Sequence, residues 1–403
     1  MAQHPARQTA TGESRRRTSS VRRDDVLALG GSGLAAVSLS GLLYGWVVPF
    51  SGPIGFVLVT YAIFLAVYAL VVSLDEPGPI VRDRVVAIMV HTAAALLVGG
   101  LVLVIAYTFI RGWPALTHWN FFTQDLSASG PLDPLTVGGI LHAMVGTLMM
   151  IAIALSITIP LGLTCAVYLN QVPGRFTRFV RTVVEAMTAL PSIVAGLFIY
   201  AAFILILGLE KSGFAAACAI TVMMLPIIIR AADVVLRLVP GSLTEASLAV
   251  GAGQWRTVWN VILPTARSGL TTAVILGTAR GIGETSPVLL TAGYTASLNT
   301  NPIKGPQVSL PLAVFQLVKS PEPGVIARGF GAAAVLMMLV LLLFVLARII
   351  GGRGPGSLTR RQEHRAVVAS RRDAERFERR APAAPETSSP VHPALPPTTP
   401  SDS

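Results

Sequence analysis

Apolar runs of about 18 or more residues recur along positions 26–350 of this chain. That is the length a helix needs to cross a hydrocarbon core roughly 30 Å thick. No other feature constrains the fold as strongly, because a backbone in lipid must satisfy its own amides and carbonyls, and an apolar run does so as a helix. Composition agrees: 53% of residues are hydrophobic and 13% charged, outside the usual mix of a soluble domain. The chain is expected to be an all-α polytopic membrane protein. Its formal net charge of +11 does not call for nucleic acid, since the placement of charge matters more than its sum. Cys165 and Cys218 both fall in apolar runs and read as small packing residues, with no disulfide or metal-ligand spacing.

Taken in order, residues 1–25 form a basic arm expected to lie in the cytoplasm. Val26 to Val48 is too long for a signal-peptide core and reads as a retained span; its Gly41 and Gly45 form a short GxxxG pair. A turn at Ser51-Gly52-Pro53 leads to a second run, Ile54 to Leu74, and these two runs make a segment, 26–83, of two extra transmembrane helices. A third run covers Val85 to Ile110, and residues 111–138, with Trp113, Trp119, Phe121 and Phe122, read as an exposed loop with interfacial aromatics. Ile140 to Leu169 follows, interrupted by Pro160, then a short basic loop, NQVPGRFTRFVR. Further runs cover Val183 to Leu209 (broken at Pro191), Phe214 to Ile229, Ser268 to Leu290 and Phe330 to Ile350. Residues 351–403 turn basic and then Pro/Ala/Ser/Thr-rich, the composition of a disordered tail.

About eight spans place both termini on one side. Of 31 Lys and Arg residues, 25 then fall on the side of the termini, five on the other, and Arg280 within a span. Short loops weigh most in this bias: Arg175, Arg178 and Arg181 lie on the side of the termini, while residues 49–53 carry no charge. A multi-pass protein of the cell membrane with cytoplasmic termini is expected.

One cytoplasmic loop, 240–264, stands apart. Pro240-Gly241 breaks the helix before it, and Ser242 and Glu245 have the S-x-x-E spacing of a capping box. Gly251 suits a left-handed helix end, and a second helix can start near Gly253. Along that helix Trp255, Val258, Trp259 and Ile262 share one apolar face, and Pro264 closes the element. Two short helices of this kind make either a connector lying on lipid headgroups or a knob that fits a groove on a partner. The run EASLAVGAGQWRTVWNVILP resembles the EAA loop of ABC importer permeases. In that family the loop forms the coupling helices that dock on the ATPase subunits. The resemblance rests on Glu245, Ala246, Gly251, Leu263 and Pro264, and departs at Ser247 and Val261. No G-x-x-x-x-G-K-[ST] loop occurs in the chain, so ATP is expected on a partner subunit, with no cofactor and no metal held here.

The next run, LGTARGIGETSPVLL, carries Arg280 and Glu284 inside an apolar span. An ionisable group there is costly and is a functional-site candidate by default. Four residues apart, the two share a helix face and can pair, which is also how a purely structural ion pair would look. Thr285 and Ser286 add hydroxyls, and Pro287 removes a backbone donor. The functional alternative is a tetrahedral oxyanion, because the guanidinium fork matches phosphate or sulfate. A carboxylate beside the anion repels sulfate but accepts a hydrogen bond from hydrogen phosphate or dihydrogen phosphate. ARGIGETSPVLLTAG looks like the ARxxGETxP signature of the A-type permease family of the high-affinity phosphate importer, as do LPSIVAGLFIY and MLPIIIRAADVVLRLVPGSLTEASLAVGA.

That resemblance covers roughly 84–350 and implies a six-span type I ABC importer permease core behind the two extra spans. It further implies a C-type permease partner, two copies of an ATPase, and an extracytoplasmic phosphate-binding protein that meets loops 111–138 and 294–325. Phosphate passage past Arg280 is implied by the same likeness. The remaining charges read more plainly. Glu185 is expected to snorkel or pair with Arg181, His91 and His142 to be buried, neutral and hydrogen-bonded, and Asp233 with Arg237 to be a surface pair of small value. The tail arginines, Arg360 and Arg371 among them, suit a solvated tail or anionic lipid. Alternatives are a permease for sulfate or molybdate, which keeps the coupling loop but does not require Glu284, and a secondary transporter, for which no repeated halves are visible.

Overall fold

The computed structural model describes residues 23–47, 52–351 and, in the tail, 364–365, 367–370, 372–373 and 376, the last of these all helical. Most of the basic arm at 1–25 and most of the tail at 351–403 lie outside the described residues. Every element among those described is a helix. Seven are long and apolar enough to cross a membrane, or eight if a bent pair at 175–206 counts as one span. Apolar composition dictates this outcome, since nothing in lipid competes with the backbone for its own hydrogen bonds.

Two compact units divide the chain, residues 1–107 and 108–403. In the first, α1 (Arg23–Leu42) runs on as a π turn over Leu43–Val47, and α2 (Pro53–Ser73) follows with most of α3 (Gly78–Leu116). Helix α1 buries Ser32, Ala36 and Ser40, spaced four apart on one face. The GxxxG pair makes no close contact among the described residues: a Cβ at Gly41 or Gly45 would meet nothing within 4 Å. The small residues that let α1 pack closely are thus the Ser-Ala-Ser stripe one step round the helix. Arg84 of α3 donates to Asp25 of α1 and, at 3.2 Å, to Glu76.

The second unit is built on α5 (Leu141–Gln171) packed along α8 (Gly213–Arg237). Before them, α3 continues to Leu116 and α4 covers Asn120–Thr123, so the expected loop at 111–138 begins later and is partly helical. Pro160 does not interrupt α5, which runs through it unbroken; a helix in lipid re-satisfies the one carbonyl that proline frees. α8 lays Ala216, Ala217, Ile220, Met224 and Ile228 into the core, where they meet Met150 and Ala154 of α5. Small alanines bring these backbones close, which is how helices associate where lipid is as apolar as the side chains.

The segment read as a basic loop is instead helical: α6 (Arg175–Ala189) carries Arg175, Arg178 and Arg181. Leu190-Pro191 ends it, and α7 (Ser192–Ile199), continued as a π stretch over Tyr200–Ile206, leaves at 105°. α9 (Gly241–Ala249), α10 (Gln254–Thr257), α11 (Leu263–Ile282), α12 (Ser286–Thr291), α13 (Leu310–Leu317) and α14 (Pro323–Gly351) complete the unit. Leu310, Leu312 and Ala313 of α13 and Ala332 and Val335 of α14 join the same core.

At the α13 end of this unit the loops are tied by polar contacts. The Leu310 amide donates to Thr147 Oγ1 at 2.7 Å, and the Gln307 amide to the Ala292 carbonyl at 3.0 Å. Asp125 accepts from Ser127 Oγ (2.6 Å) and the Leu298 amide (3.0 Å), which joins the two loops on either side of α5 and α12. Those donors, the Ser127 hydroxyl first, hold the Asp125 carboxyl below its ordinary range.

Candidate substrate pathway and coupling surface

α11 ends at Ile282, three residues after Ala279, and the span expected to run to Leu290 is broken. Gly283 follows α11, Thr285 precedes α12, and Pro287 sits in the first turn of α12, where its missing N–H costs nothing. Glu284 therefore lies in the break rather than on a helix shared with Arg280. The two still meet, with Arg280 Nε 2.9 Å from Glu284 Oε1. The approach is an ion pair by distance but lacks hydrogen-bond alignment, since Oε1 is buried with no hydrogen-bond partner. Their exposures differ sharply: 7% for the Glu284 side chain and 57% for that of Arg280. Glu284 is thus a fixed, desolvated carboxylate, and Arg280 is turned outward with Nε toward it. Thr285 and Ser286 are half-buried beside them. α8 crowds this turn: a Cβ at Gly281 would meet Met224 Sδ, so a larger residue fits there only if that flexible side chain moves.

The loop at 240–264 is a knob of α9 and α10. α9 begins after Pro240 with no side-chain cap, so the expected capping box of Ser242 and Glu245 does not form. Gly251 does take the left-handed conformation, φ 82°. Ser247 Oγ lies 2.9 Å from Thr257 Oγ1 and holds α9 against α10. Pro264 does not close the element: α10 continues as a π turn over Val258–Ile262 directly into α11, with Pro264 in the first turn. The expected apolar face also divides. Val258 and Ile262 are buried (3% each) against Ala232, Leu236 and Ala266, whereas Trp255 and Trp259 stay 72% and 65% exposed. Glu245, Ala246, Gly251 and Pro264 are exposed and Leu263 is half-buried. With Val250 (84% exposed) the two tryptophans leave an apolar surface on the knob that no described residue covers.

The family described as "Binding-protein-dependent transport system inner membrane component" matches residues 158–353, which include both the knob and the α11–α12 break. The "Phosphate transport system permease protein PstA 1" of Mycobacterium tuberculosis is 36% identical over 271 residues, covering 67% of this chain and 88% of that protein. This chain belongs to the PstA family. A PstA of Pasteurella multocida is 34% identical over 249 residues, covering 61% of this chain and 86% of its own. Among solved structures, a chain of the inward-facing MetNI methionine ABC transporter shows a looser likeness, with 22% identity, a TM-score of 0.40 and coverage of 53% of this chain and 93% of that one.

Three polar features of this PstA-family chain escape a reading of its sequence. Asp233 is not a surface residue; it is 6% exposed, and its Oδ2 accepts from Arg181 of α6 (2.8 Å) and pairs with Arg237 of its own helix (3.0 Å). Arg181 pairs there and not with Glu185, which is exposed. Arg328 is 2% exposed, and its Nη2 donates to the carbonyls of Pro134 and Val137, each at 2.8 Å. His142 is buried as expected, but neither ring nitrogen has a partner, while exposed His91 lies 2.6 Å from the Ala87 carbonyl. The i, i+4 spacing of Asp233 and Arg237 was the one local signal; Arg181, the second cation on Asp233, comes from elsewhere in the chain.

Proposed function

We propose that this chain is the membrane-spanning permease subunit of an ATP-driven importer of inorganic phosphate, a transport component of the cell membrane. The observation that carries the substrate is the pairing of exposed Arg280 with the desolvated carboxylate of Glu284 at a helix break in an apolar span. The guanidinium supplies a fork of donors to a tetrahedral anion. A carboxylate there accepts a hydrogen bond from a phosphate that still carries a proton and repels sulfate, which carries none. Thr285 and Ser286 extend the same patch with hydroxyls. PstA relatives at 34–36% identity support the phosphate reading.

In this reading the basic ends of the helices face the cytoplasm, as the charge bias of the short loops requires, so the knob of α9 and α10 and both termini lie there. A second, C-type permease completes the pathway. Two ATPase copies engage Glu245, Ala246, Gly251, Leu263 and Pro264 and the exposed tryptophans; ATP is bound there and not on this chain. An extracytoplasmic binding protein delivers phosphate to the loops tied by Asp125 and Leu298. Because α10, the π turn and α11 form one continuous helix, movement of the knob is carried to Arg280 without an intervening joint.

Uptake of radiolabelled phosphate and sulfate by cells relying on this chain tests the proposal. Glu284→Gln removes the repelling charge while keeping the shape, and sulfate should then compete with phosphate at least tenfold better. Sulfate competition unchanged from wild type would sink the role of Glu284; sulfate uptake by the wild type would instead identify a sulfate permease.

A further inference from the structure

α6 and α8 enclose a cleft of about 200 Å³ lined by Arg181, Glu185, Arg230, Asp233 and Arg237, with apolar walls from Leu169 and Ile229 among others. It lies at the end of the bundle assigned above to the cytoplasm, well away from the α11–α12 break. Its chemistry is unbalanced in a specific way. Both guanidiniums that reach Asp233 do so on Oδ2, at 2.8 and 3.0 Å, while Oδ1 is buried without any hydrogen-bond partner. A buried acceptor left unpaired costs free energy, and an ion triad meant only to brace two helices would be expected to fill both oxygens. Three guanidiniums against two carboxylates leave the lining with a surplus positive charge. Arg230 spends one donor on Thr188 Oγ1 at 3.3 Å, and Arg181 a second on the Leu169 carbonyl at 3.3 Å. Arg237 is the least confined member of the triad, with a side chain 55% exposed against 32% for Arg181.

Surplus guanidinium donors beside a carboxylate oxygen that lacks a donor define a ligand that is anionic and carries its own proton. We infer that this cleft is a second binding station for hydrogen phosphate or dihydrogen phosphate, on the side where the anion leaves the protein. Arg230 and Arg237 bind the charged oxygens, Arg237 swinging from Asp233 toward the anion. Its departure opens the Asp233 carboxylate to the phosphate hydroxyl, while Arg181 stays in place on Oδ2. Sulfate, with no hydrogen to donate, meets the same carboxylate as a repelling charge. The station repeats at the exit the donor-plus-carboxylate chemistry of Arg280 and Glu284, and it rests on the phosphate reading of this chain.

The assembled transporter, purified without nucleotide and placed in nanodiscs, provides the test through equilibrium binding of radiolabelled inorganic phosphate with sulfate as competitor. Arg237→Gln should lower the affinity of one class of sites at least tenfold, and Arg237→Lys, which keeps the charge but loses the fork, should fall in between. Arg280→Gln should leave that class of sites intact. Asp233→Asn should let sulfate compete at least tenfold better. The variants are compared at equal assembly, judged by gel filtration; Arg237 is exposed enough that its replacements carry the decision if Asp233→Asn does not assemble. Phosphate binding that is indifferent to both Arg237 variants, or abolished by Arg280→Gln alone, would overturn the second station while leaving phosphate import standing. A wild-type transporter that takes up no phosphate would overturn the import reading itself.

Discussion

Arg328 Nη2 lies 2.8 Å from the carbonyl oxygen of Pro134, a residue 194 positions earlier in the chain. With a second bond of the same length to Val137, the buried guanidinium is solvated by main-chain carbonyls. It fastens the loop before α5 to the start of α14. Replacing Arg328 with Met keeps the bulk and removes the donors, and the loss of charge-assisted hydrogen bonds of roughly 1.5–3 kcal/mol should lower thermal stability. Hydrogen exchange of residues 133–139 should rise in parallel. An unchanged melting temperature would show that the loop is held by its other contacts.

Asp125 gives the same face a pH dependence. Its folded carboxyl is held low by the Ser127 hydroxyl and the Leu298 amide, so the tie is fully present above the unfolded value near 3.9 and is lost as pH falls through the lower, folded value. Loop tethering should therefore be constant from neutral pH down to about pH 4 and weaken only below it. Exchange protection of the Leu298 amide measures this directly. Asp125→Asn should abolish the acid-dependent part; protection lost already at pH 6 would contradict the assignment.

Two glycines should respond differently to alanine. A Cβ at Gly146 would fall on the Val308 carbonyl oxygen, backbone that Thr147 and Leu310 hold in place. Gly146→Ala should cost about 1–3 kcal/mol by overpacking. Gly281→Ala meets Met224 Sδ and Cγ, the far part of a flexible side chain, and should cost less. Chemical unfolding of the two variants checks the order, and a milder Gly146→Ala would refute the packing argument.

The knob offers a binding prediction. Trp255 and Trp259 expose most of their surface, and aromatic anchors of this kind dominate interface energies, often at 2 kcal/mol or more. Trp255→Ala should weaken association with the ATPase subunits roughly thirtyfold by that measure while leaving the melting temperature of the isolated chain unchanged. Co-purification at graded ATPase concentration reads the first effect. A drop in stability without weaker association would mean that Trp255 serves the fold instead.

The spans were legible because hydrophobicity over 18 residues is a sum that no single residue can upset. Boundaries were harder, and prolines show why. Pro191 ends a helix and turns the chain by 105°, whereas Pro160 sits inside α5 without breaking it; in both cases neighbouring helices, and not proline itself, decide the outcome. Arg280 and Glu284 were found as a pair by spacing, but the helix they were placed on ends between them. The capping box at Ser242 and Glu245 failed because α9 starts two residues too early, with Pro240 and not Ser242 at its N-cap.

What stayed hidden is long-range polar pairing. Asp233 and Arg181 are 52 residues apart, and Arg328 meets main-chain carbonyls, which carry no residue-type signature. Local periodicity reports which face of a helix is buried, but not which charge will arrive to meet it. The split of the Trp255, Val258, Trp259 and Ile262 face had the same origin: one π turn moved two of the four residues toward α8 and left the tryptophans outside.

That π turn, Val258–Ile262, fixes an angle. Each residue of an α-helix advances the chain by about 100°, and the wide turn holds an extra one between Trp255 and Arg280. Deleting one residue there would leave the bearing of everything beyond it nearly unchanged, whereas straightening the turn into regular α-helix with no residue removed would rotate everything beyond it by about 100°. Arg280 would then face a different neighbour while Trp255 kept its own. The bearing of Arg280 relative to Trp255 is therefore set by five residues, Trp259 among them.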